Sequence, residues 1–159
     1  EAQNLNDVFN GPLPTASKLD AQSIADFYTG YLPPDDELHV VVFAAPQLSL
    51  DEMRRLAHLL DGRKVDATVA LIVCTAPAVK EATDRLGITG RIEAAGGIVL
   101  EGVCFYNMHA REIGDANGWR RLMSNSAKIV NILGGYGYEP VLASMERCVD
   151  SACSGRITR

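Results

Sequence analysis

Leu38-His-Val-Val-Val-Phe-Ala-Ala is apolar almost without interruption over the length of a strand, with none of the alternation of a half-exposed one. A strand buried on both faces is implied, and with it a parallel sheet covered by helices. Just after it, Ser49 and Glu52 stand at capping-box spacing, and Leu50, Met53, Leu56, Ala57 and Leu60 recur at helical intervals until Gly62. The pair then repeats. Ala67 to Cys74 is a second buried run, and Thr75-Ala-Pro opens a helix in which Val79, Ala82 and Leu86 align before Gly87. A short helix through Arg91 to Ala95 leads into a third strand centred on Ile98, Val99 and Leu100. Strands near 38–45, 68–74 and 97–103, separated by helices and short connections, predict a three-layer α/β/α domain with a mostly parallel sheet and helices on both faces.

The remaining pattern is less regular. Phe105 to Met123 is polar and aperiodic, and reads as a loop over the carboxyl end of the sheet, where loops carry function. Ser124-Asn-Ser offers three cap-type side chains ahead of Ile129, Val130, Ile132 and Leu133, and predicts a helix with a free, anion-attracting N-terminus that stops at Gly134-Gly135. Gly134-Gly-Tyr-Gly follows a helix instead of preceding one, so it is a helix stop and not a nucleotide loop. Glu139-Pro-Val-Leu-Ala-Ser suggests a fourth, shorter strand, and Ser144 caps a last helix with Met145, Cys148, Val149 and Ala152 on one face. Residues 1–36 carry Pro12, Pro14, Pro33 and Pro34 and one weak helical stretch, Asp20 to Tyr28, with Ile24 and Phe27 inward. They read as a lead-in segment packed on the α/β domain at 37–159, and an opening glutamate in place of an initiator methionine suggests a piece of a longer protein.

Composition narrows the function. The 159 residues, 47% of them hydrophobic, suffice for one domain with one sizeable core. A net charge of −5 without a Lys/Arg cluster leaves no basic face, so nucleic acid is excluded as a partner. No apolar run reaches the roughly 18 to 20 residues of a membrane span, and Glu-Ala-Gln-Asn-Leu-Asn-Asp lacks the basic and apolar regions expected of a signal peptide. The expected setting is soluble and cytoplasmic. The four cysteines are scattered, which favours thiols or metal ligands over disulfides. Cys74, inside an apolar strand, and Cys148, on the apolar face of its helix, have the spacing of core residues. Cys104 instead ends a strand and enters a polar loop. Cys104, Cys148 and the Asn125-Ser126-x-Lys128 block could converge over one crevice, thiolates holding iron or zinc while the block binds a carboxylate or phosphate. A lone Cys104 nucleophile would need a base, for which His109 is near in sequence. His39 reads as an edge residue.

At these residues the chain resembles a known family. Pro46-Gln-Leu-Ser-Leu-Asp-Glu-Met-Arg-Arg-Leu-Ala, the Gly-Val-Cys104 strand end, Met123-Ser-Asn-Ser-Ala-Lys128 and Leu142-Ala-Ser-Met-Glu-Arg-Cys148-Val are similar, in order and approximate spacing, to the C-terminal part of the large subunit or domain of aconitase X. The resemblance implies an aconitase-like domain of a hydro-lyase that dehydrates a small hydroxy acid, cis-3-hydroxyproline or a phosphorylated mevalonate. It implies an iron centre held by cysteines, either an iron-sulfur cluster of the 2Fe-2S type or a mononuclear iron. Carried over by position, Cys104 and Cys148 are the metal ligands and Asn125, Ser126 and Lys128 face the substrate. The catalytic base is expected on a smaller swivelling domain, and the remaining domains or small subunit of the same enzyme are the expected partners. Two departures stand out: Ala45-Pro46-Gln47 stands where the family commonly has Cys or Asn followed by Pro-His, and the stretch from Phe105 to Arg121 is longer than or different from the usual one. The alternative is a non-catalytic α/β ligand-binding or regulatory domain with structural cysteines.

Overall fold

The apolar runs form the centre of a parallel sheet. A computed structural model describes residues 2–158. Strands β1 (Val40–Leu48), β2 (Ala70–Thr75), β3 (Gly97–Glu101), β4 (Arg121–Ser124) and β5 (Glu139–Leu142) lie side by side in the order β3-β2-β1-β4-β5, every pair parallel. The helices are α1 (Ala21–Thr29), α2 (Leu50–Leu59), α3 (Pro77–Arg85), α4 (Ile88–Ala94), α5 (Ala110–Asn117), α6 (Ala127–Leu133) and α7 (Met145–Ser154).

Alternation along each buried strand divides the interior into two apolar layers. Val41, Phe43, Leu71 and Val73 point into one, with Met53 and Leu56 of α2, Ile88 and Ile92 of α4, and Cys148 and Val149 of α7. Val40, Val42, Ile72 and Cys74 point into the other, with Phe105, Ala110 of α5, Ile129 and Leu133 of α6, and Tyr138. Helices thus cover both faces, the three-layer arrangement that the sequence predicts. The expected caps are also present: Ser49 and Glu52 close a reciprocal capping box on α2, and the Ser144 hydroxyl accepts the Arg147 N–H at the start of α7.

Several expectations need correction. β1 does not stop at Ala45 but runs on to Leu48 through an irregularity after Phe43, where Ala45 has φ +49° and the Ala45-Pro46 peptide is cis. Pro46 is tolerated in a central strand because the ladder is already interrupted there. The stretch from Phe105 to Met123 is not a loop: it holds a 3-10 turn (Phe105–Asn107), α5 and most of β4. Ser124 ends β4 instead of capping a helix, and the cap of α6 is Ser126. α6 has seven residues and holds all four of the expected apolar positions, Ile129, Val130, Ile132 and Leu133.

The chain divides into a first unit ending at Gly30 and a second opening at Tyr31. In the first, Asp20 is the N-cap of α1 and not its first helical residue, and Ile24 and Phe27 are exposed instead of turned inward. In the second, the segment before β1 is tied to the sheet by Arg121, whose buried guanidinium pairs with Asp35 at 3.2 Å and Glu139 at 2.9 Å. His39 is a satisfied edge residue whose Nδ1 accepts the Arg121 N–H at 3.0 Å.

Candidate active site at the carboxyl ends of the strands

In the order β3-β2-β1-β4-β5 the chain moves outward one way from β1 and then restarts on its other side at β4. A crevice outside the carboxyl ends of two strands at such a reversal, here β1 and β4, is the general ligand position in parallel α/β sheets. Three segments meet at this end. The end of β1 is joined to the segment after β3 by Gln47 Nε2, which donates to the Val103 carbonyl at 2.9 Å. It is joined to the segment after β4 by Ser126 Oγ, which donates to the Ala45 carbonyl at 2.6 Å. A third tie, from Thr75 Oγ1 to the Leu48 carbonyl at 2.7 Å, fixes the end of β2 to the same strand.

Cys104 is half-buried and packs against the layer that contains Cys74, Phe105 and Ile129. Its carbonyl accepts the Asn107 N–H at 2.9 Å, which closes the 3-10 turn behind it. That turn is anchored by Phe105, which is fully buried and sits edge-on to Tyr138 with centroids 6.0 Å apart. Cys74 is as buried as the sequence predicts, yet it lies close enough to Cys104 for their charges to oppose one another. Burial first, and then the charge of Cys104, push the Cys74 thiol up to about 11, while an N–H donated by Phe105 works the other way.

The Asn125-Ser126-x-Lys128 block divides by role. The Ser126 hydroxyl is spent: beyond its bond to Ala45 it accepts the Ile129 N–H at 3.3 Å, capping α6. Ser124 reinforces it, donating to the Val42 carbonyl at 2.7 Å and accepting the Ser126 N–H at 3.2 Å. Asn125 is half-buried and its side chain has no hydrogen-bond partner among the described residues. Lys128 is exposed, with its ammonium 5.5 Å from the centroid of the Tyr106 ring. Asn125 and Lys128 therefore keep donors for a ligand, whereas Ser126 is a brace.

Cys148 does not join this site. It is fully buried in the apolar layer on the other face of the sheet from Cys104, with its Sγ 3.9 Å from the Ala143 carbonyl. Burial, helped by Glu146, holds its thiol far above the ordinary range. The expected convergence of Cys104 and Cys148 over one crevice is not what the fold builds, because the sheet lies between the apolar layers to which the two belong. Among the described residues no group of three or more His, Cys, Asp and Glu is arranged to hold a metal. His109 is exposed, with φ +56°, and makes no side-chain cap on α5. Sequence reasoning missed Tyr106 and Gln47, and the register was the usable signal for Cys74: Cys74 pairs with Leu100, so Cys104 follows only a few residues beyond the same end of the sheet.

Comparison with known proteins bears on family and fold. The profile of the aconitase X third domain matches residues 38–154. The large subunit of phosphomevalonate dehydratase from Methanothermobacter thermautotrophicus is 34% identical over 117 residues, covering 74% of this chain and 28% of that protein. The cis-3-hydroxy-L-proline dehydratase of Hypocrea jecorina is 33% identical over 111 residues, covering 69% of this chain and 18% of that protein. The chain thus spans less than a third of the length of these curated relatives. Among solved structures, the holo-form of aconitase X from Thermococcus kodakaraensis superposes with a TM-score of 0.68 over 84% of this chain and 33% of that one. At 20% identity that likeness is one of fold.

Proposed function

The chain belongs to the aconitase X family, as its third domain, and from that premise we propose that it forms one wall of a dehydratase active site that removes water from a small hydroxy acid. The observation that carries the reading is the knot of hydrogen bonds at β1, where Gln47 and Ser126 draw the Cys104 segment and the Asn125–Lys128 segment to one end of the sheet. A half-buried cysteine and two uncommitted nitrogen donors are then available near one end of the sheet. The Lys128 ammonium and the Asn125 amide suit a carboxylate, such as that of a cis-3-hydroxyproline-like acid, the substrate proposed here.

The donors here do not amount to a complete metal site. Cys104 fits as one thiolate ligand of an iron centre whose other ligands come from elsewhere in the parent enzyme, and Cys148 is a core residue. Iron, when bound, supplies a Lewis acid toward the departing hydroxyl. The residues of this chain hold the carboxylate end: Lys128 neutralises it, Asn125 orients it, and Ser126 keeps both in place through α6. Elimination also needs a base for the substrate proton, expected on the swivelling part of the enzyme that closes over the crevice. Membership of a larger assembly follows the same logic, with the remaining domains or small subunit as partners. Among the described residues no helix is long and apolar enough to cross a membrane.

The test is to supply the complete parent enzyme, purified without air, with cis-3-hydroxy-L-proline and with phosphomevalonate, and to follow formation of the unsaturated product. Turnover of the hydroxyproline supports the reading. Turnover of phosphomevalonate alone refutes the substrate assignment, and turnover of neither refutes the dehydratase assignment.

A further inference from the structure

Tyr106 lies immediately after Phe105, whose fully buried ring fixes the 3-10 turn, and is itself half-buried against the same apolar layer. Its ring carries the Lys128 ammonium at 5.5 Å from the centroid. Lys128 forms no salt bridge or hydrogen bond among the described residues, so this ring is its contact with the protein. An exposed lysine ordinarily samples many rotamers, and fixing one costs entropy at the moment of binding. A ring face within about 6 Å attracts the ammonium through its quadrupole without consuming an N–H donor. The cation is held in place while its hydrogen-bonding capacity stays available, which a carboxylate partner would not allow.

We propose that Tyr106 is a positioning residue that pre-orients Lys128 toward the anionic end of the substrate, linking the Cys104 segment to the Lys128 segment. The proposal rests on the reading of Lys128 as a substrate contact. The face of the ring does the work, not the hydroxyl.

The experiment uses the complete parent enzyme and combines steady-state kinetics, with cis-3-hydroxy-L-proline as probe, with NMR of reductively 13C-methylated lysines. The Lys128 methyl resonance should be shifted upfield by the Tyr106 ring current; Tyr106→Phe should keep the shift and Tyr106→Ala should abolish it. Tyr106→Ala should raise KM about two- to fivefold with kcat changed by less than about twofold, the effect of one surface cation–π contact. Tyr106→Phe should restore the wild-type KM, and adding Tyr106→Ala to Lys128→Ala should cause no further rise. A KM loss of equal size in the Lys128→Ala background, or a Phe variant as poor as the Ala variant, overturns the proposal. An unshifted Lys128 resonance in the wild type overturns the positioning claim alone and leaves the dehydratase reading standing. A shifted resonance together with an unchanged KM in Lys128→Ala overturns the substrate-contact reading, and the proposal with it.

Discussion

Ser126→Ala separates bracing from binding within the Asn125-Ser126-x-Lys128 block. The hydroxyl makes two bonds from a buried position, donating to the Ala45 carbonyl at 2.6 Å and accepting the Ile129 N–H at 3.3 Å. Losing the cap costs about 1 kcal/mol. Leaving the Ala45 oxygen, on a residue only 6% exposed, without this donor costs about 1 to 3 kcal/mol more. The two are one group's loss and do not add fully, so about 2 kcal/mol is the expected destabilisation. With a urea m-value of about 2 kcal/mol/M for a domain of this size, the denaturation midpoint should fall by roughly 1 M with an unchanged slope. Asn125→Ala, at a side chain with no partner among the described residues, should move it by less than about 0.25 M, the midpoint shift of a 0.5 kcal/mol surface change. If Ser126→Ala leaves the midpoint in place, or if Asn125→Ala is the more damaging, the assignment of roles within the block is wrong.

Gly114→Ala should destabilise the protein despite the better helix propensity of alanine, because an added Cβ would lie 2.7 Å from Tyr138 Oη; a raised melting temperature would show that the two do not pack as described. Tyr138 donates to the Ala110 carbonyl at 2.7 Å, and burial pushes its phenol from the ordinary 10.0 up to about 12. A folded value above the unfolded one means that its stabilising contribution is whole below pH 10 and is lost as pH climbs from about 10 toward 12. Tyr138→Phe should therefore flatten the alkaline decline of the urea midpoint over that window, and a decline unchanged by the substitution would refute it. In the native protein a thiol reagent should modify Cys104 and Cys153, the half-buried pair, while Cys74 and Cys148 react only on unfolding; rapid labelling of Cys148 would remove it from the core.

Much of this fold is legible in the chain because its central strands are buried on both faces. Val40 to Ala44 and Leu71 to Cys74 are apolar at successive positions, a pattern that an exposed strand would not keep. α5 and β4 escaped the same reasoning for a local cause. α5 buries only Ala110 and Gly114, small residues chosen by the Tyr138 ring pressed on them, so no apolar stripe marks it. β4 is four residues long and opens with a buried arginine that Asp35 and Glu139 neutralise, a pairing made by tertiary contacts alone. The same limit explains the site. Cap-type side chains at 124–126 could be seen, but which hydroxyl reaches across to Ala45 depends on the switch between β1 and β4. Cys104 and Cys148 both stand beside family motifs, and only the sheet, by sending them to opposite faces, tells them apart.

The most direct test of the account compares Cys104→Ser with Cys148→Ser in the complete parent enzyme purified without air, reading iron content and dehydration rate on the same preparations. A hydroxyl is a much poorer iron ligand than a thiolate, so Cys104→Ser should lose iron and activity together while its melting temperature changes little. Cys148→Ser places a hydroxyl in an apolar layer and should lower the melting temperature while retaining the iron. A Cys104→Ser enzyme that keeps both its iron and its rate, or a Cys148→Ser enzyme that loses iron at an unchanged melting temperature, would contradict the account.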